Sequence, residues 1–383
     1  MNARPRIGWL CNSAIGTSET FLVDNLKLLQ SFAEVKAYSG SRHPTNGHID
    51  VKGLQFDAIP QKLHHVIRRK LTGKDVRTLA KRRRCSKELA DELNAFEPNV
   101  LWIEFGTTAH VAADLLSKVD KPYIISVHGF DITREFNDPW YTSEFTRLAN
   151  QSHAVVCASQ HTRNLCISAG VNRDRCHVIR LAIDNARFTP IKQAKPLPAS
   201  FVHLGRLVEK KGPLQTVMAF QQVLKEIPKA RLTIIGEGPL RSSVEKYIQS
   251  NNLEEAVLMT GSLPQEQALD LVRSHAIFCQ HSVTSTDGDQ EGFALSPAEA
   301  ALMGMPVIST FHNGIPEHVQ HRNTGLLVQE WDIKGMAHAM IELAQKPEQA
   351  KSMGEAGRQN ILALCHPTKR LDALQSIIST TLA

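Results

Sequence analysis

Short β-rich runs alternate with longer helix-type patterns along almost all of this 383-residue chain. Several runs, such as AVVCA at residues 154–158 and AIFC at residues 276–279, are continuously apolar, as in strands covered on both faces in a parallel sheet. This alternation predicts doubly wound α/β domains. The predicted strands are residues 7–11, 35–38, 100–104, 123–127, 154–158, 178–181, 202–205, 232–236, 257–261, 276–279, 307–310 and 325–328.

The length of the chain predicts two domains, because 383 residues are too many for one ordinary core. Residues 191–200, IKQAKPLPAS, contain two prolines and show no helix-type or strand-type periodicity of apolar residues, which predicts a linker. We therefore expect one Rossmann-like domain over residues 1–190 and a second over residues 201–365. A C-terminal helix over residues 366–383 could cross back to the first domain. The two domains would face each other across a cleft, with ligands at the carboxyl ends of the strands.

The composition is that of a soluble globular protein, with 42% hydrophobic and 21% charged residues. No run approaches the roughly 18 apolar residues needed to span a bilayer, and the first apolar run is too short for a signal peptide. The seven cysteines are dispersed and form no Cys-x-x-Cys pair, which argues against structural zinc or a disulfide framework. A cytoplasmic location is expected, because thiols stay reduced there.

The net charge is +6, and ten basic residues are concentrated between Arg68 and Lys87. Such a segment is either a solvated helix face or a surface that binds an anionic membrane or substrate. Only Phe56 and Phe96 are near it, so stacking on nucleic-acid bases is not indicated. We therefore expect no nucleic-acid partner, and we leave open an anionic membrane surface.

Two loops that follow predicted strands could bind an anion. The loop after residues 7–11 contains Gly16, which permits close backbone approach, and Ser18, which could cap the next helix. In the second half, a strand ends at Gly205, two cations follow at Arg206 and Lys211, and proline suits the helix start near residue 213. Two cations beside a helix N-terminus can neutralise a diphosphate leaving group. An ordinary turn remains the alternative for each loop.

A third loop carries a pair of carboxylates. Residues 285–300, STDGDQEGFALSPAEA, form a polar glycine-containing loop that runs into a predicted helix. Glu291 lies in the loop and Glu299 about one turn inside the helix, so both could face one pocket. Carboxylates there can accept hydrogen bonds from the vicinal diols of a hexose or a ribose.

These loops, together with GMPVIST at residues 304–310, resemble the family-4 retaining glycosyltransferases of the GT-B fold. Four motifs are similar to the branch that builds bacterial exopolysaccharides, including the colanic-acid type. They are SETF at residues 18–21, HGFD at 128–131, DGDQEG at 287–292 and HNGIPE at 312–317. The resemblance covers most of the chain and is most specific over residues 201–328.

The resemblance implies a role for each loop. Arg206 and Lys211 would hold the diphosphate of a nucleotide-sugar donor, with the Gly16 backbone closing over it. Glu299 would bind the ribose. The donor hexose would meet Glu291 and the following backbone, at Gly292, Phe293, Ala294 and Leu295. One departure is Phe293-Ala294 itself, where the branch often has a smaller or proline-containing sequence.

The resemblance also implies the remaining positions. His128 would sit close to the reacting carbon, and Glu19 and Asp131 would lie on the acceptor side. The loops that contain Gly238 and Leu263 would cradle the base. The expected reaction is transfer of a hexose-type sugar, from a UDP-sugar or alternatively a GDP-sugar, to a glycan or lipid-linked acceptor. The acceptor would attack from the face that the diphosphate leaves, and the departing phosphate oxygen would take the proton.

Several alternatives stay open on the sequence alone. Asp287 and Asp289 form an Asp-x-Asp, a pattern that binds a divalent metal in another transferase fold. Because two cations already serve the diphosphate, we expect no metal and no cofactor. A lone His128 could be a core histidine, and Glu317 could simply cap a helix. The alternatives for the whole protein are a sugar-nucleotide epimerase of the same fold and a non-catalytic nucleotide-sugar-binding protein.

Overall fold

The computed structural model describes residues 4–12, 20–39, 51–53, 87–190 and 199–382. The chain divides into two compact units. The N-terminal unit contains the chain up to Ala158, Arg163–Ile179 and the chain from Leu371 onward. The C-terminal unit contains Ser159–Thr162 and Arg180–Arg370. The predicted Arg68–Lys87 segment lies outside the described residues, except for the backbone of Lys87, where a helix begins.

The N-terminal unit is built on a parallel sheet of seven described strands in the order β3-β2-β1-β4-β5-β6-β7. The strands are β1 Arg6–Cys11, β2 Glu34–Ser39, β3 Val51–Gly53, β4 Val100–Glu104, β5 Tyr123–Val127, β6 Ala154–Cys157 and β7 Cys176–Val178. The helices are α1 Thr20–Phe32, α2 Lys87–Phe96, α3 Gly106–Val111, α4 Ala113–Val119, α5 Pro139–Gln151 and α6 Gln160–Ser168, which belongs to this unit from Arg163 onward. The chain order reverses between β1 and β4, which are paired neighbours. That place is the switch point where α/β sheets bind ligands.

The C-terminal unit repeats this plan with six parallel strands in the order β10-β9-β8-β11-β12-β13. The strands are β8 Ser200–Leu204, β9 Arg231–Ile235, β10 Val257–Gly261, β11 Ile277–Cys279, β12 Val307–Thr310 and β13 Gly325–Val328. The helices are α7 Pro213–Glu226, α8 Arg241–Ser250, α9 Gln265–Arg273, α10 Leu295–Leu302, α11 Ile333–Gln345 and α12 Pro347–Cys365. The last helix, α13 Pro367–Leu382, begins in this unit and belongs to the N-terminal unit from Leu371 onward. The switch point of this sheet lies between β8 and β11.

Alternating residues of the N-terminal strands enter two different cores, one on each face of the sheet. Leu10 belongs to one core and Trp9 to the other, and Ile103 and Trp102 divide in the same way. A sheet covered on both faces needs apolar side chains at successive positions, which explains the unbroken apolar runs. The predicted α/β fold class with two doubly wound Rossmann-like domains is confirmed.

The chain passes between the units at positions that differ from the predicted linker. It enters the C-terminal unit at Arg180. Two hydrogen bonds hold the segment that begins there: Ile183 donates its backbone N–H to the backbone oxygen of Cys365, and the Arg370 guanidinium donates to the backbone oxygen of Arg180. Residues 191–198 of the predicted linker lie outside the described residues. The second half of α13 packs into the N-terminal core through Leu374, Ile377 and Ile378. Among the residues that the structure describes, no helix is long and apolar enough to cross a membrane.

Candidate active site

The switch point of the C-terminal unit brings together two of the predicted site residues, Lys211 and Glu291. Lys211 follows β8 and Glu291 follows β11, and these strands are paired neighbours, so their loops emerge at the same edge. The Lys211 Nζ lies 3.0 Å from the Glu291 Oε1, with 13% and 9% of the two side chains exposed. The aliphatic part of the Lys211 side chain lies beside Gly205. A Cβ added at position 205 would be 3.5 Å from the Cδ of Lys211.

Glu291 is held in its ionised form by its neighbours. Burial would raise the pKa of this carboxyl group, but the charges of Lys211 and Lys210 outweigh burial and lower the pKa to about 2. A low-dielectric setting strengthens such an attraction because little water screens it. Glu291 is therefore an ionised carboxylate beside Lys211 at neutral pH.

A contact between His312 and Glu330 fixes the backbone at Glu291. The Glu291 N–H donates to the Nε2 of His312 over 3.1 Å, so this ring nitrogen accepts and the Nδ1 carries the proton. The Nδ1 lies 2.6 Å from the Glu330 Oε1, and the other oxygen of Glu330 accepts the Thr284 N–H over 2.7 Å. Glu330 thus orients a ring that holds the loop of Glu291. Neither His312 nor Glu330 was a predicted site residue.

The Asp-x-Asp carboxylates have protein partners of their own. The Asp289 Oδ1 lies 3.0 Å from the Nζ of Lys210, a lysine that is only 8% exposed. The Asp287 Oδ1 accepts the Ser285 hydroxyl over 2.6 Å and the Asp289 N–H over 3.1 Å. These contacts give both carboxylates a role in shaping the loop. Within the described ranges, no group of three or more His, Cys, Asp or Glu could hold a metal.

Arg206 does not join the Lys211–Glu291 pair. Its side chain is exposed, and among the described residues it has no hydrogen-bond or ion-pair partner. It shares its loop with Lys211, and the loop ends at Gly212, which has a φ of +56°. A Cβ at Gly212 would lie 1.8 Å from the backbone oxygen of His281, so this position requires glycine. Arg206 is therefore an exposed cation, unpaired within the described part of the chain, at the edge of the sheet where a ligand can reach it.

One of the two loops predicted to cradle a base, the Gly238 loop, is tied to the Arg206 loop through the backbone. The Leu207 N–H donates to Glu237 over 2.8 Å, and the Leu240 N–H donates back to Leu207 over 2.9 Å. Gly238 lies close to this contact, since a Cβ there would be 2.5 Å from the Leu207 oxygen. Leu263, half-buried, follows β10 in the next loop.

After Glu291, the side chains of Phe293 and Ala294 are buried, so a ligand would meet the backbone of this segment. Phe293 is 2% exposed and its ring packs against His318, whose Nε2 donates to the Phe293 carbonyl over 2.8 Å. Ala294 is 3% exposed with a φ of +61°, a left-handed conformation that is strained for alanine. Helix α10 begins at Leu295 with no side-chain cap, so backbone N–H groups of its first turn lack the usual partner. Glu299 lies one turn into this helix and is half-buried.

Glu317 does not cap the short helix of the Gly-Ile-Pro-Glu turn, which has no side-chain cap. One of its carboxylate oxygens accepts the His161 N–H and the other pairs with Arg180, each over 3.0 Å. Both partners belong to the C-terminal unit. Glu317 therefore anchors the two segments by which the chain enters this unit.

In the N-terminal unit, His128 directly follows β5 and meets a buried carboxylate. Its Nε2 lies 2.7 Å from the Oε2 of Glu104, the last residue of β4, and 3.1 Å from the Ser126 Oγ. Glu104 is fully buried and 9% of the His128 side chain is exposed. The rings of Phe21 and Phe105 lie 4.8 and 4.9 Å from the His128 ring. Sequence reasoning missed Glu104, and its only signal was a carboxylate that ends an apolar strand.

Asp131 has a structural part in this unit. It is fully buried, and both carboxylate oxygens accept backbone N–H groups, from His128 and Gly129 at one oxygen and from Gly106 at the other. Asp131 therefore holds the backbone of the loop that carries His128, and its predicted place on the acceptor side stays a prediction. The two predicted residues Gly16 and Glu19 lie outside the described residues.

Two family models match the chain. The model of Glycosyltransferase Family 4 matches residues 51–187, and the model of Glycosyl transferases group 1 matches residues 187–360. Together they span well over half of the sequence.

Among similar proteins is the amylovoran biosynthesis glycosyltransferase AmsK of Erwinia amylovora, with 28% identity over 65% of this chain and 62% of AmsK. The putative colanic acid biosynthesis glycosyltransferase WcaL of Escherichia coli K12 is 30% identical over 65% of this chain and 62% of WcaL. The matched part thus spans less than two thirds of either relative.

Among solved structures, HepE of Anabaena in complex with UDP and glucose has a TM-score of 0.79 and 16% identity, covering 98% of this chain and 100% of HepE. At this identity the likeness shows the fold. The family models and the fold agree with the motifs read from the sequence, and the chain belongs to the family-4 glycosyltransferases of the GT-B fold.

Proposed function

We propose that this protein transfers a hexose-type sugar from a nucleotide-diphosphate sugar to a glycan or lipid-linked acceptor, with retention at the transferred carbon. UDP-sugars are the favoured donors, since the similar HepE holds UDP, and GDP-sugars are the alternative. The similarity to AmsK and WcaL, named as amylovoran and colanic acid biosynthesis glycosyltransferases, supports a place in exopolysaccharide or cell-surface polysaccharide biosynthesis.

The observation that carries the proposal is the ion pair of Lys211 and Glu291 at the switch point of the C-terminal sheet. A lysine held 3.0 Å from a carboxylate is fixed in place, and its remaining N–H groups can donate to phosphate oxygens. Arg206, exposed in the same loop, adds a planar cation suited to bidentate phosphate contacts. The N-terminus of α7, beginning at Pro213, adds the positive end of a helix dipole. Together these groups would stabilise charge that develops on a departing diphosphate.

The other donor contacts follow the backbone. Glu299 would accept hydrogen bonds from the ribose hydroxyls. Glu291 and the backbone from Gly292 to Leu295 would bind the hexose, because Phe293 and Ala294 are buried and their side chains point into protein. The loops of Gly238 and Leu263 would hold the base. We propose that no metal is required, since cations and helix N-termini already offset the diphosphate charge.

Catalysis would rest on positioning and on charge stabilisation at the leaving group. The acceptor hydroxyl would attack the sugar carbon on the face that the diphosphate leaves. Its proton would pass to the departing phosphate oxygen, so no protein nucleophile is needed. We assign His128 a contact with the sugar that is transferred. The protein would work in the cytoplasm, with the Arg68–Lys87 segment attaching it to the inner face of the membrane.

Two alternatives make different use of the same donor site: an epimerase would change the donor without an acceptor, and a binding protein would leave it intact. The test incubates labelled UDP- and GDP-sugars with the protein, with and without a glycan and lipid extract. We expect acceptor-linked label from one donor, a strong loss of this label with Lys211→Ala, and no loss with Lys225→Ala, which changes an exposed lysine of α7. Donor conversion without extract would support the epimerase. Binding without conversion would support the non-catalytic protein.

A further inference from the structure

We infer that Glu104 is a positioning residue that keeps the proton of His128 on Nε2 and leaves Nδ1 as the ring nitrogen that receives a substrate hydroxyl. The inference rests on the proposed function, because it concerns the histidine that we assign to the transferred sugar. It concerns contacts within the N-terminal unit alone.

One oxygen of Glu104 is already committed to protein donors. Its Oε1 accepts the indole N–H of Trp102 over 2.8 Å, the amide of Asn25 over 2.5 Å and the indole N–H of Trp9 over 3.3 Å. Indole nitrogens can only donate, so they require an acceptor at this place. Several hydrogen bonds to a carboxylate stabilise its charged form. They also fix the orientation of the carboxyl group, with one oxygen towards these three donors and the other towards His128.

The second oxygen of Glu104 determines which nitrogen of His128 is protonated. The Oε2 lies 2.7 Å from the His128 Nε2, and an ionised carboxylate can only accept. Nε2 therefore carries a hydrogen whether the ring is neutral or charged. The Ser126 Oγ, 3.1 Å from the same nitrogen, can share this N–H as a second acceptor.

The ring is also fixed in direction. The rings of Phe21 and Phe105 pack against it, and its backbone N–H donates to Asp131 over 3.2 Å. Its Nδ1 is buried and has no hydrogen-bond partner among the described residues. A buried polar atom without a partner is unfavourable, because its hydrogen bond to water is lost and nothing replaces it. A substrate hydroxyl donating to Nδ1 would supply the missing partner.

The variant Glu104→Gln tests this arrangement, because glutamine has the same shape but one oxygen instead of two. The three N–H donors must keep that oxygen at the Oε1 position, so the amide NH2 faces His128. Nε2 then has to accept, and the proton must move to Nδ1. The variant thus reverses the tautomer while every neighbouring side chain stays in place.

The measurement is long-range 1H–15N NMR on the full chain labelled at histidine nitrogen, with the His128 signals identified by their loss in His128→Gln. We expect the Nε2-protonated pattern in the wild type, the reversed pattern in Glu104→Gln, and kcat for transfer lowered about 10-fold in that variant, as for one lost hydrogen bond. Glu330→Gln is the matched control: it changes the other histidine–glutamate contact and should leave the His128 signals unaltered.

Three results would overturn the inference: wild-type His128 protonated at Nδ1 alone, an unchanged tautomer in Glu104→Gln, or a reversed tautomer with an undiminished transfer rate. A protein that transfers sugar from no donor would refute the proposed function. The NMR readout would in that case still decide whether Glu104 sets the tautomer.

Discussion

Replacing Lys211 by methionine should destabilise the C-terminal unit, because it leaves the Glu291 carboxylate buried without its cation. The pKa of Glu291 falls from 4.5 to about 2 in the folded chain although burial alone would raise it. A shift of this size corresponds to about 3 kcal/mol of net stabilisation of the charged form, at 1.36 kcal/mol per pKa unit. Breaking a buried pair from one side generally lowers the free energy of unfolding by about 3–5 kcal/mol. We expect Lys211→Met to fall in that range.

A double-mutant cycle separates the pair from its surroundings. Glu291→Gln should also destabilise, since it leaves Lys211 buried and unpaired. The double variant Lys211→Met/Glu291→Gln removes both charges of the pair. Its loss in free energy of unfolding should therefore be about 3 kcal/mol smaller than the sum of the two single losses. The control is Lys225→Met on the exposed face of α7, which should stay within about 0.5 kcal/mol of the wild type.

The assay is urea unfolding followed by the fluorescence of Trp331, the single tryptophan of the C-terminal unit. The stabilisation of the folded state by the ion pair should be fully present above pH 4.5 and should be lost as the pH falls towards 2. In the unfolded chain Glu291 is protonated below about pH 4.5, whereas in the folded chain it takes up its proton only near pH 2. Additive single effects at neutral pH would show that Lys211 and Glu291 do not stabilise each other, contrary to this prediction.

Four further predictions concern other parts of the molecule. Arg206→Ala should lower kcat/KM by about 2–4 kcal/mol of transition-state stabilisation, measured with the identified donor, and a near-native rate would remove it from the diphosphate site. Transfer should survive thorough chelation; activity abolished by EDTA and restored by magnesium would make Asp287 and Asp289 metal ligands. Burial lowers the pKa of three histidines, so unfolding of this unit should become easier as the pH falls from 6.5 to 4, and acid titration of circular dichroism should show it. They are His203 with a pKa of about 3, and His281 and His318 with a pKa of about 4. The protein should pellet with anionic vesicles at low salt, since each basic residue near the surface adds about 1 kcal/mol, and charge reversal at residues 82–84 should release it; equal pelleting with neutral vesicles would contradict a role for the Arg68–Lys87 segment.

The strands were largely readable from sequence because a sheet covered on both faces needs continuous apolar runs. β3, Val51–Gly53, was missed because its three residues carry one apolar side chain and it pairs only with β2 at the edge of the described sheet. β7 was predicted at residues 178–181 and lies at Cys176–Val178. From Arg180 the chain belongs to the other unit, where Arg180 pairs with Glu317, and a local pattern does not contain that contact.

Site residues could be predicted where their own loop indicates their role, but contacts that depend on the order of the strands could not. Arg206, Lys211 and Glu291 were singled out by their loops, but the ion pair of Lys211 with Glu291 follows from the pairing of β8 with β11. Glu104 was missed for the same reason. Its donors Trp9 and Asn25 are far from it in sequence and come together only because β1, α1 and β4 are neighbours in the fold.

The most direct test of the central claim is the stereochemistry of the transferred sugar. An α-configured UDP-sugar, labelled with 13C at its anomeric carbon, is incubated with the protein and the glycan and lipid extract, and the acceptor-linked product is examined by 1H–13C NMR. We predict a new α-linked anomeric signal that appears as UDP is released and that is absent with Lys211→Ala. A β-linked product would contradict retention, and release of UDP with no acceptor-linked signal from any nucleotide sugar would contradict transfer itself.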